Sequence, residues 1–167
     1  MTLDSNIRAA LERHWAASDA NDFSAEHQIY RQDAVLEYPQ SGERIRGRDR
    51  IQASRMAQPN YKRFSVRRII GAANLWVTEF ILTYDGRPSY TVSIMEFSDE
   101  QVIRETQYFG DPFQPGPSRS QWVERIHRSL AEGVRHYALN IERTMPDEYT
   151  PWPNRPGCPD RPAIPAS

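Results

Sequence analysis

The chain has 167 residues, enough for one domain, or one domain with an appendage, around a real hydrophobic core. Its 21 basic and 22 acidic side chains leave a formal net charge of -1. No overall field draws polyanions or an anionic membrane surface, so neither nucleic acid nor membrane is an expected partner. No apolar run reaches the roughly 18 residues of a spanning helix. Asp4 and Arg8 interrupt the stretch where a signal peptide needs continuous apolar residues. A soluble, cytoplasmic protein is expected. The single cysteine, Cys158, excludes an intramolecular disulfide and any zinc site built from several thiolates.

Residues 5 to 19 place Ile7, Leu11, His14, Trp15 and Ser18 at three- and four-residue spacings, with Arg8, Glu12 and Arg13 opposite. This is the pattern of an amphipathic helix, which Asp4 or Ser5 would cap. A short second helix is expected over about 24–31. Ala34 to Tyr38 then reads as a strand halted by Pro39, facing a partner at Arg44 to Arg46. Arg48 to Ala57 reads as a third short helix.

From Phe64 the period becomes two. Phe64 to Gly71, Leu75 to Tyr84, Ser89 to Phe97 and Val102 to Phe109 are four strand-like runs rich in β-branched and aromatic residues. Asp85-Gly86 has the positive-φ chemistry of a two-residue hairpin turn. After the stiff connector Pro112 to Pro117, a helix is expected from Arg119 to about Arg143, capped by Ser118. Seven of the 13 prolines fall in the last 22 residues, so 146–167 is expected to be a disordered tail or an extended arm. The predicted organisation is a pocket domain over 1–124, a helical extension over 125–145, and the Pro-rich tail.

Side chains alternate along strands, so register decides which carboxylates meet. A two-residue loop at Asp85-Gly86 sets Ser93 opposite Thr78 and Met95 opposite Trp76. The next loop has two readings. Three loop residues, Asp99 to Gln101, set Glu96 opposite Arg104 and put Glu105, Gln107 and Phe109 on the face of Ser93 and Met95. Two loop residues would group Glu79 with Glu105 instead. The first reading is preferred because it pairs opposite charges across the strands; it turns Glu105 inward and Glu79 outward.

Several phrases resemble the nuclear-transport-factor-2-like superfamily, in its SnoaL-like and ketosteroid-isomerase-like branches. They are Asp22-Phe23 after the opening helix, Tyr30 to Pro39, Gly47 to Ile51, Glu79 with Asp85-Gly86, Ile94 to Phe97, Arg104 to Phe113, and Gln121 to Val123. The resemblance implies an α+β fold: a cone-shaped, curved antiparallel sheet wrapped around N-terminal helices, the cystatin-like α+β barrel, here with an added C-terminal helix. It also implies a largely apolar pocket and a homodimer packed through the sheets. The isomerase branch has its aspartate base where Tyr38 stands, its oxyanion tyrosine at His14 and its oxyanion aspartic acid at Ser93. All three differ here.

Glu105, His14 and Tyr38 are the candidate catalytic residues. A carboxylate among Phe109, Met95 and other apolar groups would have its pKa raised by desolvation, which suits a general acid or base near neutral pH. His14, on the apolar helix face, would shuttle a proton or polarise a carbonyl. Tyr38 would donate a hydrogen bond to a ligand oxygen. Trp15, Trp76, Ser93, Met95, Gln107 and Phe109 are the candidate ligand contacts. The chain carries no phosphate-cradling glycine loop, dinucleotide fingerprint or nucleophile elbow. The histidines show no metal-ligand spacing, and no metal site or cofactor is required. The expected function is to bind a small, mostly apolar molecule, with isomerisation, cyclisation or dehydration by proton transfer. The alternative is a noncatalytic binding or assembly protein with a filled pocket.

Overall fold

The computed structural model describes residues 2–124, which belong to the compact unit Met1–Ile126. The helix predicted from Arg119 onward and the Pro-rich tail fall outside the described residues, apart from 119–124. There the chain makes a 3-10 turn, Pro117–Trp122, with no side-chain cap from Ser118.

Helix α1, Leu3–Ala20, starts at Thr2, whose side chain accepts from the Ser5 amide, and ends at Asn21 in the left-handed region. Its buried face is Ile7, Leu11, His14, Trp15 and Ser18. Helix α2 is only Phe23–His27, capped by Asp22. Strand β1 therefore begins earlier than its apolar run suggests and covers Tyr30–Tyr38. Strand β2, Glu43–Arg46, pairs with it, and α3 follows at Arg48–Met56. Strands β3, Lys62–Ala72, β4, Leu75–Tyr84, β5, Arg87–Ser98, and β6, Gln101–Gly110, complete a meander.

The six strands form one curved, unclosed sheet in the order β2-β1-β6-β5-β4-β3. All pairings are antiparallel except β1 with β6, which run parallel. The last strand of the meander thus returns beside the first strand of the chain. The concave face is filled from α1 by Ile7, Leu11 and Trp15, which join Leu36, Trp76, Phe80 and Met95 in one core.

The two hairpins decide which side chains face that core. Asp85 and Gly86 take positive φ values of 51° and 81°, and the resulting two-residue turn pairs Thr78 with Ser93 and Trp76 with Met95. The β5–β6 turn also has two residues, Asp99 and Glu100, both in the left-handed region. A bulge corrects its register. Phe97 pairs with Val102 and Glu96 with Arg104, so Ile103 is the extra residue. Glu105 consequently lies opposite Met95, and Gln107 opposite Ser93. The predicted face is right and the predicted three-residue loop is not: the extra residue sits in the strand. Glu79 points to the outer face and pairs with Arg67 and Arg68.

Candidate functional site

Glu105 is completely buried, on β6 in the centre of the concave face. Four donors reach its carboxylate. Ser93 Oγ donates to Oε1 from 2.6 Å and Gln107 Nε2 from 2.7 Å, while Oε2 accepts from the Tyr30 hydroxyl and from Arg55 Nη2 at 2.9 Å. Arg55 then reaches with Nη1 to Glu26 Oε1, also at 2.9 Å. One guanidinium therefore bridges two buried carboxylates, Glu26 on α2 and Glu105 on β6. Its plane lies over the Tyr30 ring, 5.5 Å from the centroid. Isolated charges here would cost several kcal/mol each, and only this mutual pairing makes their burial tolerable.

The pairing reverses the expected titration. Burial alone pushes the Glu105 carboxyl up, but the Arg55 guanidinium and the Ser93 and Tyr30 hydroxyls outweigh it and hold the group below the usual carboxylate range. Glu105 is ionised and saturated with donors. The sequence-based expectation of a raised pKa rests on its apolar neighbours; the alternative, a carboxylate tied to an arginine, is what the structure shows, with Arg55 supplied by α3.

His14 is 2% exposed and faces this array from α1. Its Nδ1 lies 2.7 Å from the Glu26 carbonyl oxygen. A carbonyl oxygen only accepts, so Nδ1 carries the proton. Burial, then the Arg55 charge, lower its pKa against the pull of Glu105 and Glu26. The ring is neutral, and its bare Nε2 lone pair is buried with no hydrogen-bond partner among the described residues. His27 is held the same way, by its Nδ1 on the Phe23 carbonyl, and its Nε2 also finds no partner among them. Both rings contact Tyr30: His14 edge-on and His27 stacked, each at 5.7 Å.

Tyr38 closes β1 and is half-buried against Phe109, ring to ring at 5.9 Å. Burial raises its pKa against the opposing pull of the Arg55 charge, so the phenol stays protonated. Ser93 and Gln107 are buried donors to Glu105. Trp15, Trp76 and Met95 are core residues: the Trp15 indole donates to Thr78 Oγ1, the Trp76 indole to the Ala73 carbonyl, and Met95 is fully packed.

Two concavities lie elsewhere. One of about 90 Å³ on the outer sheet face is lined by Arg68, Ile70, Val77, Glu79 and Val92. The other, about 270 Å³ between α1 and β3, includes Trp15 and Phe64. Neither includes His14, Tyr38 or Glu105. The described residues contain no group of three or more His, Cys, Asp and Glu side chains able to hold a metal ion. No helix among them is long and apolar enough to cross a membrane.

Glu26, Tyr30, Arg55 and Lys62 were not among the predicted site residues. For Arg55 a signal exists: it lies one helical turn beyond Ile51, which is wholly buried, so both share the inward face of α3. Glu26 and Tyr30 sit in a stretch whose helix–strand boundary is not marked by period.

Helices covering the concave face of a curved sheet, with polar side chains meeting inside it, define an α+β cone of the nuclear-transport-factor-2-like class. The SnoaL-like domain family matches residues 11–105. The chain belongs to this SnoaL-like family. It is 56% identical to a nuclear-transport-factor-2-like protein of unknown function from Burkholderia xenovorans LB400, with a TM-score of 0.70 over 74% of this chain and 98% of that one. A provisional ketosteroid isomerase from Kribbella flavida DSM 17836 is 23% identical, with a TM-score of 0.69 over 75% of this chain and 93% of that one. An LEH-like epoxide hydrolase from M. tuberculosis is 22% identical, with a TM-score of 0.54 over 63% and 83%. The last two likenesses show the fold alone. No curated protein matches the chain.

Proposed function

We propose that the interior of this domain binds a small, mostly apolar carbonyl compound and moves a proton on it, with His14 as the base. The observation that carries the reading is the buried, bare Nε2 of a neutral His14 beside the Glu26–Arg55–Glu105 array. A buried base whose tautomer is set by a backbone carbonyl keeps one ring nitrogen available for a proton, and perturbed groups of this kind gather at functional sites. Glu105 is not the base, because all its acceptor positions are engaged and its basicity is lowered. With Glu26 it would stabilise the imidazolium formed when Nε2 takes a proton from the carbon next to the carbonyl. Tyr38 would donate to the carbonyl oxygen. Returning the proton to a different atom gives isomerisation; loss of a β-hydroxyl gives dehydration; attack of the carbanion on a second carbonyl gives cyclisation.

The test is enzyme-dependent exchange of α-protons in D2O for a panel of small ketones and aldehydes, followed by proton NMR. Exchange above the buffer rate that falls by about 100-fold or more in His14→Gln supports the reading. Equal exchange with and without protein sinks it.

A second reading, a noncatalytic binding or assembly protein, rests on the saturation of Glu105 and on the two concavities that omit the candidate residues. It predicts no exchange for any compound. In either reading the expected homodimer would use the outer sheet face, where Ile70 and Tyr108 stand exposed. A sedimentation-velocity run at micromolar concentration reads the oligomeric state directly, and a monomer there removes this part of the proposal.

A further inference from the structure

Of the 21 basic side chains in the sequence, one alone is a lysine, Lys62. Arginine serves at every other cationic position, including all the surface ion pairs with β-sheet carboxylates. The lone lysine is not on the surface. It is the first residue of β3, faces inward, and is only 7% exposed. Its register partner is Tyr84 at the end of β4. Its Nζ donates to the Arg55 carbonyl oxygen at 3.0 Å and stands 4.7 Å from the centre of the Phe23 ring. No carboxylate among the described residues comes within ion-pair distance of it.

Holding the last turn of α3 through a carbonyl is work that an arginine performs equally well. What an amine adds is a nitrogen that loses its proton and then attacks carbon. We propose that Lys62 is a nucleophilic amine that forms an imine with the carbonyl group of an aldehyde or ketone entering the interior. This deepens the reading of the preceding subsection and rests on it for the entry of a carbonyl compound. The free amine adds to the carbonyl carbon to give a carbinolamine, and the oxygen then leaves as water to give the imine. Two protons leave nitrogen and two hydrogens depart in the water, so no oxidant or reductant is needed. Burial, with the Arg55 charge as a further cause, lowers the Lys62 pKa against the opposing pull of Glu26. An iminium at the carbonyl carbon would acidify the neighbouring C–H bond, the bond from which His14 is proposed to take a proton.

A single lysine makes the test clean. The full chain is incubated near pH 7 with butanal or cyclohexanone and sodium cyanoborohydride, which reduces an imine to a stable secondary amine, and the adduct is located by peptide mass mapping. The expected result is modification of Lys62 at least 10-fold faster than of the N-terminal amine. That preference should disappear in 8 M urea. In Lys62→Arg, which keeps the cation and the donor to the Arg55 carbonyl, the adduct should be absent while the thermal midpoint is retained. Labelling of the N-terminal amine with Lys62 untouched overturns the proposal. Measuring α-proton exchange in parallel separates the two readings: exchange without a Lys62 adduct removes the amine and leaves the His14 chemistry, whereas absence of both removes both.

Discussion

Arg55 Nη2 lies 2.9 Å from Glu105 Oε2, between a guanidinium side chain 12% exposed and a carboxylate that is wholly buried. The same arginine is 2.9 Å from Glu26. This contact ties the last turn of α3 to the middle of the sheet, and it decides both the ionisation of Glu105 and the electrostatic setting of His14.

Removing the arginine strands two carboxylates in the interior. Arg55→Met is expected to cost about 3–5 kcal/mol in urea denaturation. Glu105→Gln, which leaves Arg55 its bond to Glu26, is expected to cost about 1–3 kcal/mol. The double variant should recover part of the sum, because the Glu105 charge is then gone with its partner and only Glu26 is left without the arginine. Full additivity would mean that the two side chains do not interact in solution.

Stability should fall with acid in two stages. His14 and His27 have folded pKa values below their ordinary 6.5, so under pH 6.5 the unfolded chain binds protons that the folded chain refuses, and stability declines as pH drops from there. Glu105 is likewise lowered from 4.5, and its contribution is lost as pH falls from about 4.5 through the folded value. Urea midpoints measured from pH 7.5 to 4 should show the first decline, and the His14→Gln/His27→Gln variant should flatten it. A wild-type midpoint constant between pH 7.5 and 5 contradicts the assignment.

The ring nitrogens themselves are observable. Long-range nitrogen–proton correlation spectra at pH 7.5 should show both histidines as neutral Nδ1–H tautomers, with Nε2 at the shift of a bare imidazole nitrogen. A protonated Nε2 on His14 would take away its role as a base.

Gly71 should tolerate no side chain. It pairs with Trp76 across β3 and β4, and a Cβ there would come within 2.5 Å of the Leu75 carbonyl oxygen and 2.7 Å of Trp76 Cα and Cδ2. Gly71→Ala is expected to lower stability by about 1–3 kcal/mol, because the crowding atoms are mostly backbone and cannot step aside. Denaturation at an unchanged midpoint would show that the β3–β4 pairing is looser than described.

Much of the fold was legible in the chain because local patterns and long-range packing agree. The apolar stripe Ile7, Leu11, His14, Trp15 of α1 and the alternating runs of β4, β5 and β6 each name their buried face directly. The opposite charges of Glu96 and Arg104 were enough to choose the β5–β6 register, although the bulge at Ile103 that produces it carries no local signature. β1 reads short in the sequence because the second helix is expected to run to Arg31, and because Gln32 and Asp33, exposed inside the strand, look like loop residues.

The candidate site was legible only in part. Sequence by itself determined the cone, the inward direction of Glu105 and the presence of His14 on the face that meets the sheet. Tertiary structure alone decided what those groups are chemically. Glu26, Tyr30, Arg55 and Lys62 come from four separate elements, and their convergence is a property of how α2, α3 and the sheet pack. The physical reason is that side-chain direction follows from local period, whereas ionisation follows from the nearest charge and the nearest carbonyl, which lie 50 residues away for Glu105 and Arg55 and 12 for His14 and Glu26.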